Sequence, residues 1–275
     1  MKYLSHIFLV LYITLCIYVY LPIIVTSTSL TTETVSQGEV EYLELFPWYW
    51  SMYSSIHNIV IVAPAKVMHT TIRNVLNHKE CSKNNPHCTE IKNKKNNFKF
   101  NNQYKRYILN TAIRVLIIRD PYDRSYSAYM NSNHNTKQCT FEEWVYAISQ
   151  QGTGCNEHFY SITNISNIKN IKYHYIIIMN YKTDRQKLWY LLNETHIHEH
   201  QYNTSPNSNL DITTKLKYFT PNVIKMLQEL YTDDIELYKY YQTQLQLQLQ
   251  TNGIGIDIDN IIDTREKSIL DYIDT

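Results

Sequence analysis

The stretch Ile113–Met130 sets the terms for the whole chain. It opens on an apolar, β-branched run of Ile113, Val115, Leu116, Ile117 and Ile118, which is the composition of a strand covered on both faces in a parallel sheet. Arg119-Asp120-Pro121 then ends the strand, because proline has no N–H for a ladder and restricts the residue before it. Proline also suits the first turn of a helix, and Tyr122–Met130 contains no breaker. A strand that turns at once into a helix places Arg119 at the carboxyl end of a strand, the edge where open α/β sheets bind ligands. Its guanidinium fork suits a phosphate, and Ser127 on the following helix adds a hydroxyl donor. The competing reading is an Arg119 that only pairs with Asp120 or Asp123.

A second segment upstream repeats the design. Asn58–Ala63 reads as another buried strand, followed by Pro64-Ala65-Lys66-Val67-Met68-His69-Thr70-Thr71 and a helix carrying Ile72, Val75 and Leu76 on one face. Free backbone N–H groups and the dipole at a helix start bind anions, and Lys66, Thr70 and Thr71 add a charge and two hydroxyls. The chain holds only five glycines, and neither a Walker loop nor a G-x-G-x-x-G fingerprint occurs. Phosphate binding here must therefore use a glycine-free loop. A net charge of +1 gives no global field for nucleic acid.

The ends of the chain read differently. From Ile7 to Val25 there is no charge, and Lys2 precedes the run. That length of helix spans roughly 28 Å, near the thickness of a bilayer core. We read residues 1–25 as an uncleaved signal-anchor with the remainder lumenal, a cleaved signal being the alternative. Residues 26–55 read as a stem ending in the aromatic cluster Phe46–Trp50, and residues 56–241 as the domain. Residues 242–275, with their Gln-Leu alternation and acidic end, read as a low-complexity tail. In a lumenal chain Asn164, Asn193 and Asn203 are N-glycosylation acceptors. Cys81, Cys88, Cys139 and Cys155 are then two disulfides with three possible connectivities.

Between these landmarks, Cys81–Lys105 is a polar insertion and Cys139–Val145 a helix start with Thr140 and Glu143 at capping-box spacing. Tyr173–Met179 is a third strand, Thr183–Leu192 a helix, and Pro221–Tyr241 one long amphipathic helix capped by Thr220. His196, His198 and His200 alternate without an acidic anchor and read as a polar loop, so no metal site is expected.

Two phosphate-type loops about fifty residues apart, each closing a buried strand, resemble the Golgi carbohydrate sulfotransferases, the family of the chondroitin, dermatan and HNK-1 enzymes. The run Ala65–Val75 is similar to that family's 5′-phosphosulfate loop, with Ala65 where proline is usual and His69 where cysteine is usual. Arg119–Tyr129 is similar to its 3′-phosphate motif, His158-Phe159 to its H-W pair, and Tyr218–Pro221 with Leu230–Tyr238 to its closing segment.

The resemblance implies a single α/β domain with a central parallel sheet and a P-loop-like nucleotide site. It implies sulfuryl transfer from 3′-phosphoadenosine 5′-phosphosulfate (PAPS) to a sugar hydroxyl, with no metal and no nucleic acid. On that basis Lys66 meets the 5′-phosphosulfate, the loop Ala65, Val67, Met68, His69, Thr70 and Thr71 cradles it, and Arg119 and Ser127 hold the 3′-phosphate, with Asp120 and Arg124 in the same motif. His158 is the general-base candidate, ahead of Glu157. A type II Golgi membrane protein is the matching location. The alternatives are a lumenal or surface binding protein that has lost the activity, a tyrosylprotein sulfotransferase, and a kinase that uses the same two-loop logic. The missing Walker glycines argue against the last.

Overall fold

The computed structural model describes residues 43–80, 102–133, 139–151, 158–193, 212–251 and 268–273. The chain divides into two units, Met1–Glu41 and Tyr42–Thr275, and all described residues belong to the second. The anchor at 1–25, Cys81, Cys88, Cys155, Glu157, the alternating histidines and Asn203 lie outside the described residues. Among those described, no helix is long and apolar enough to cross a membrane.

The core is a four-stranded sheet in the order β1-β2-β3-β4, formed by Ser51–Ser54, Ile59–Val62, Ile113–Ile118 and Tyr175–Ile178. The inner strands run parallel, with Val62 opposite Leu116 and Ile118 opposite Ile178. They are the three apolar runs visible in the sequence, and Val60–Val62 and Val115–Ile118 are fully buried. β-branched side chains fit a pleat covered on both faces, and each such buried residue contributes roughly 1.5–3 kcal/mol.

Strand β1 adds an antiparallel edge to the expected central parallel sheet and corrects the stem boundary at residue 55. It pairs antiparallel with β2, Ser51 opposite Val62 and Ser54 opposite Ile59. The turn between them is too short for a crossover, so the reversal must be antiparallel. Asn58 holds the turn at φ 50°, its amide reaching the Thr111 carbonyl at 2.9 Å while its side-chain oxygen accepts from the Tyr53 hydroxyl at 3.0 Å. Phe46, Trp48 and Trp50 are buried against the same core, so the aromatic cluster is part of the domain.

Helices α1 (His69–Glu80) and α2 (Asn102–Thr111) follow β2. Helix α2 takes in Asn102–Lys105, which the polar composition assigns to the inserted loop. Helices α3 (Pro121–Asn133), α4 (Phe141–Gln151) and α5 (Ile162–Ser166) lie between β3 and β4. The capping box of α4 forms as expected: the Thr140 N–H donates to the Glu143 carboxylate at 2.7 Å, and the Glu143 N–H to the Thr140 hydroxyl at 3.2 Å. Beyond β4 come α6 (Lys182–Leu191), α7 (Ile212–Leu216), α8 (Pro221–Leu230), α9 (Thr232–Thr251) and α10 (Ile269–Ile273).

Two expectations about the far end are corrected. The long helix breaks at Tyr231 (φ −122°, ψ 30°) into α8 and α9. The described parts of the supposed tail, 242–251 and 268–273, belong to the fold. Helix α9 runs on through the Gln-Leu alternation, and Ser268, Ile269 and Leu270 are buried. Of the four cysteines expected in disulfides, Cys139 carries a free thiol.

Candidate active site

The parallel strands β2, β3 and β4 each end on a turn that leads into a helix, so these turns gather at one edge of the sheet. The turn after β2 is Ala63–Met68. Within it Lys66 (φ 67°) and Met68 (φ 63°) adopt the left-handed backbone that side chains with a Cβ avoid. Each such residue costs on the order of 1 kcal/mol. Left-handed residues interleaved with ordinary ones turn successive N–H groups inward into a concave nest. This nest sits on the start of α1, where the positive pole of the helix dipole adds to it. The strained, glycine-free loop therefore has the form of an anion cradle.

The turn after β3 brings Arg119 to it. The Arg119 guanidinium donates to the Lys66 carbonyl at 3.0 Å, so the two loops meet. Arg119 does not take the competing role of a partner for its neighbouring acids. Asp120 accepts from the N–H groups of Tyr122 at 2.8 Å and Leu270 at 2.9 Å. Asp123 accepts from the Asn180 side chain at 2.8 Å and faces Lys215 at 3.8 Å. Burial, and then the positive charge of Arg119, lower Lys66 from 10.5 to about 8. Two cations are thus held together in a half-buried place, and no carboxylate of the described residues pairs with the lysine.

Ala65 and Val67 are buried, Lys66, Met68 and His69 are half-buried, Thr70 is exposed and Thr71 is buried. His69 is fully engaged. One ring N–H, at Nδ1, donates to the Ala63 carbonyl at 2.7 Å, which leaves Nε2 to accept from Arg73. That fixes the neutral tautomer and removes His69 from consideration as a base. Ser127 is half-buried on the second turn of α3.

Asp120 and Arg124 serve the fold, although the motif counts them with the cofactor residues. The two N–H groups it accepts tie the Asp120 carboxylate to α3 and α10. Arg124 is 1% exposed, and its fork is spent on the Asp234 carboxylate at 3.1 Å and the Tyr160 carbonyl at 2.6 Å.

His158 is half-buried and opens the segment that the Arg124–Asp234 pair grips. That segment leans toward the cradle through rings: Tyr160 lies edge-on to Trp50 at 6.3 Å, and Trp50 edge-on to His69 at 6.4 Å.

A model of the sulfotransferase family matches residues 51–241. The chain belongs to the sulfotransferase family. No curated protein and no solved structure matches it. The matched span starts at β1 and ends within α9, so this sulfotransferase domain includes the antiparallel edge strand.

Three contributors to this candidate site were not assigned a role from the sequence: Trp50, Asn180 and Asp234. Asn180 follows β4 and ties the β3 turn, accepting from the Asp120 N–H at 3.1 Å and donating to Asp123. Asp234 had a legible signal. It stands in helical phase with Leu227, Tyr231 and Tyr238, an acid on an apolar face.

Proposed function

We propose that the protein transfers a sulfuryl group from PAPS to a hydroxyl of a carbohydrate, as a single-pass type II protein of the Golgi membrane with its domain in the lumen. One observation carries the donor side of this reading. A strained nest at a helix start holds Lys66 beside Arg119, two cations with no acid between them. Such a pair fits a ligand with two separate anionic groups, which is the character of PAPS. Lys66 and the N–H groups from Val67 to Thr71 would hold the 5′-phosphosulfate, and Arg119 with Ser127 the 3′-phosphate.

PAPS supplies an activated sulfuryl group joined to phosphate through a bridging oxygen. The S–O bond to that oxygen breaks, its electron pair stays on the phosphate, and a new S–O bond forms to the acceptor oxygen. Lys66 stabilises the charge that collects on the bridging oxygen, and the fixed N–H groups do so without reorganising. His158 takes the acceptor's proton. As in phosphoryl transfer, positioning and charge stabilisation supply most of the acceleration.

The acceptor and the location rest on the family resemblance and on the uncharged run Ile7–Val25. Asn164 and Asn193 are exposed, which suits glycans in a lumenal domain. The test is calorimetry of 3′,5′-adenosine bisphosphate (PAP) with the full chain, followed by sulfuryl transfer to a glycan panel. Micromolar binding that weakens by about 2–3 kcal/mol in Arg119→Ala supports the reading. A folded protein that binds no PAP overturns it.

A further inference from the structure

The segment Phe159–Thr163 is held at every residue by a group from outside it. The Tyr231 hydroxyl donates to the Phe159 carbonyl at 3.0 Å, and Arg124 Nη1 donates to the Tyr160 carbonyl at 2.6 Å. Asp234 takes the next three: the Ser161 hydroxyl at 2.7 Å and the Thr163 N–H at 2.9 Å on one oxygen, the Ile162 N–H at 2.8 Å on the other. Arg124 closes the set, pairing with Asp234 at 3.1 Å and lying 5.2 Å over the Tyr231 ring. Both charged side chains are 1% exposed.

Part of this has an ordinary explanation. Asp234 satisfies N–H groups at the start of α5, as a helix cap does. The two carbonyl contacts do not serve that helix. They lie on the other side, at the residues that follow His158. Stability is also a weak reason to bury an ion pair, because an apolar replacement of similar shape often does as well. A charged pair that reaches four consecutive residues fixes one conformation of that segment more than it strengthens the fold.

We infer that Tyr231, Arg124 and Asp234 are positioning residues that hold His158 in register with the anion cradle. This rests on His158 acting as the base in the proposed transfer. The ring chain Tyr160–Trp50–His69 links the held segment to the loop it must face. The clamp spans α3 and α9, so elements far apart in sequence determine where one imidazole sits.

Tyr231→Phe is the decisive variant, because it deletes one O–H and keeps the ring under Arg124. Transfer by this variant should fall about tenfold in kcat, with PAP affinity within twofold of the parent. In a His158→Ala background the same substitution should cause no further fall, since a positioning residue acts only through the group it positions. An unchanged kcat, or an equal fall in both backgrounds, overturns the inference. Hydrogen exchange supplies a readout independent of activity. In Asp234→Asn the amides of Ile162 and Thr163 should exchange at least tenfold faster while those of β3 keep their protection. Unchanged exchange there overturns the clamp even if transfer proves absent. A wild-type chain that binds no PAP instead condemns the sulfuryl-transfer reading, and the inference that rests on it, while the exchange result still decides whether the clamp exists.

Discussion

Lys66 carries two burdens at one position. Its backbone is left-handed at φ 67° and its ammonium is held half-buried beside Arg119. Burial and that guanidinium lower its pKa from 10.5 to about 8, so the folded protein gives up this proton more easily than the unfolded chain while remaining an ammonium at neutral pH. The unfolded chain binds more protons between these values, and this group's contribution to stability rises with pH across that window. Anion binding has the opposite preference, because the phosphate stabilises the ammonium. PAP binding at pH 8 should therefore take up a fraction of a proton, seen as an observed enthalpy that changes with the buffer's ionisation heat. Above pH 8 affinity should fall by up to about tenfold per pH unit, until the pKa of the complex is passed. Lys66→Arg should abolish this dependence over the same range, since a guanidinium does not titrate there. An enthalpy independent of buffer would mean that Lys66 does not meet the anion. The pairing of Lys66 with Arg119 was foreseeable from two strand-loop-helix segments of matching form. The engagement of His69 was not, because nothing in the sequence says which carbonyl an imidazole will find.

At the scale of elements, legibility followed burial on both faces. Strands β2, β3 and β4 could be read because a doubly covered strand is a run of Ile, Val and Leu. Strand β1, Ser-Met-Tyr-Ser, has no such pattern, and its burial comes from the aromatic residues around it. The Gln-Leu alternation of α9 carries a strand period, yet the helix begun at Thr232 continues through it and packs Leu245 against the core. Local pattern lost there to the propagation of an existing helix. Caps were read correctly where chemistry is local. The Thr220 hydroxyl accepts from the Val223 N–H at 3.3 Å to start α8, and it donates to Glu142 of α4 at 3.2 Å. Thr220→Ala removes both bonds and should destabilise the domain by about 1–2 kcal/mol in urea unfolding. PAP affinity should not change, because α8 and α4 lie outside the cradle. A loss of affinity at unchanged stability would show that this helix pair reaches the nucleotide.

For the molecule as a whole, the segment Ser268–Ile273 docks beside the turn that ends β3. Leu270 is 1% exposed and its N–H donates to Asp120, the residue that follows Arg119. The Gln242 amide ties the segment to α9 and to the start of α6, donating to Asp271 at 2.6 Å and to the Tyr181 hydroxyl at 2.7 Å. Leu270→Ala should cost about 2–5 kcal/mol, the range for a buried leucine. The docking also explains an abnormal acid. Burial, and then the charge of Asp123, raise Asp120 from 3.8 to about 7, against the lowering effect of the Leu270 and Tyr122 N–H groups and the Ser268 side chain. Between those values the folded chain keeps a proton that the unfolded chain has lost. This group therefore stabilises the fold at low pH, and its contribution disappears as pH rises from about 4 through 7. Deleting the residues from 268 onward removes the Leu270 N–H but also uncovers Asp120. Burial is the larger of those two influences, so the acid should fall back toward its ordinary value. The full chain should then lose more Tm than the deletion variant between pH 5 and 7.5, although the full chain remains the more stable at every pH. Parallel Tm curves for the two proteins would mean that Asp120 is ionised in the fold, and that the Leu270 and Tyr122 N–H groups outweigh its burial.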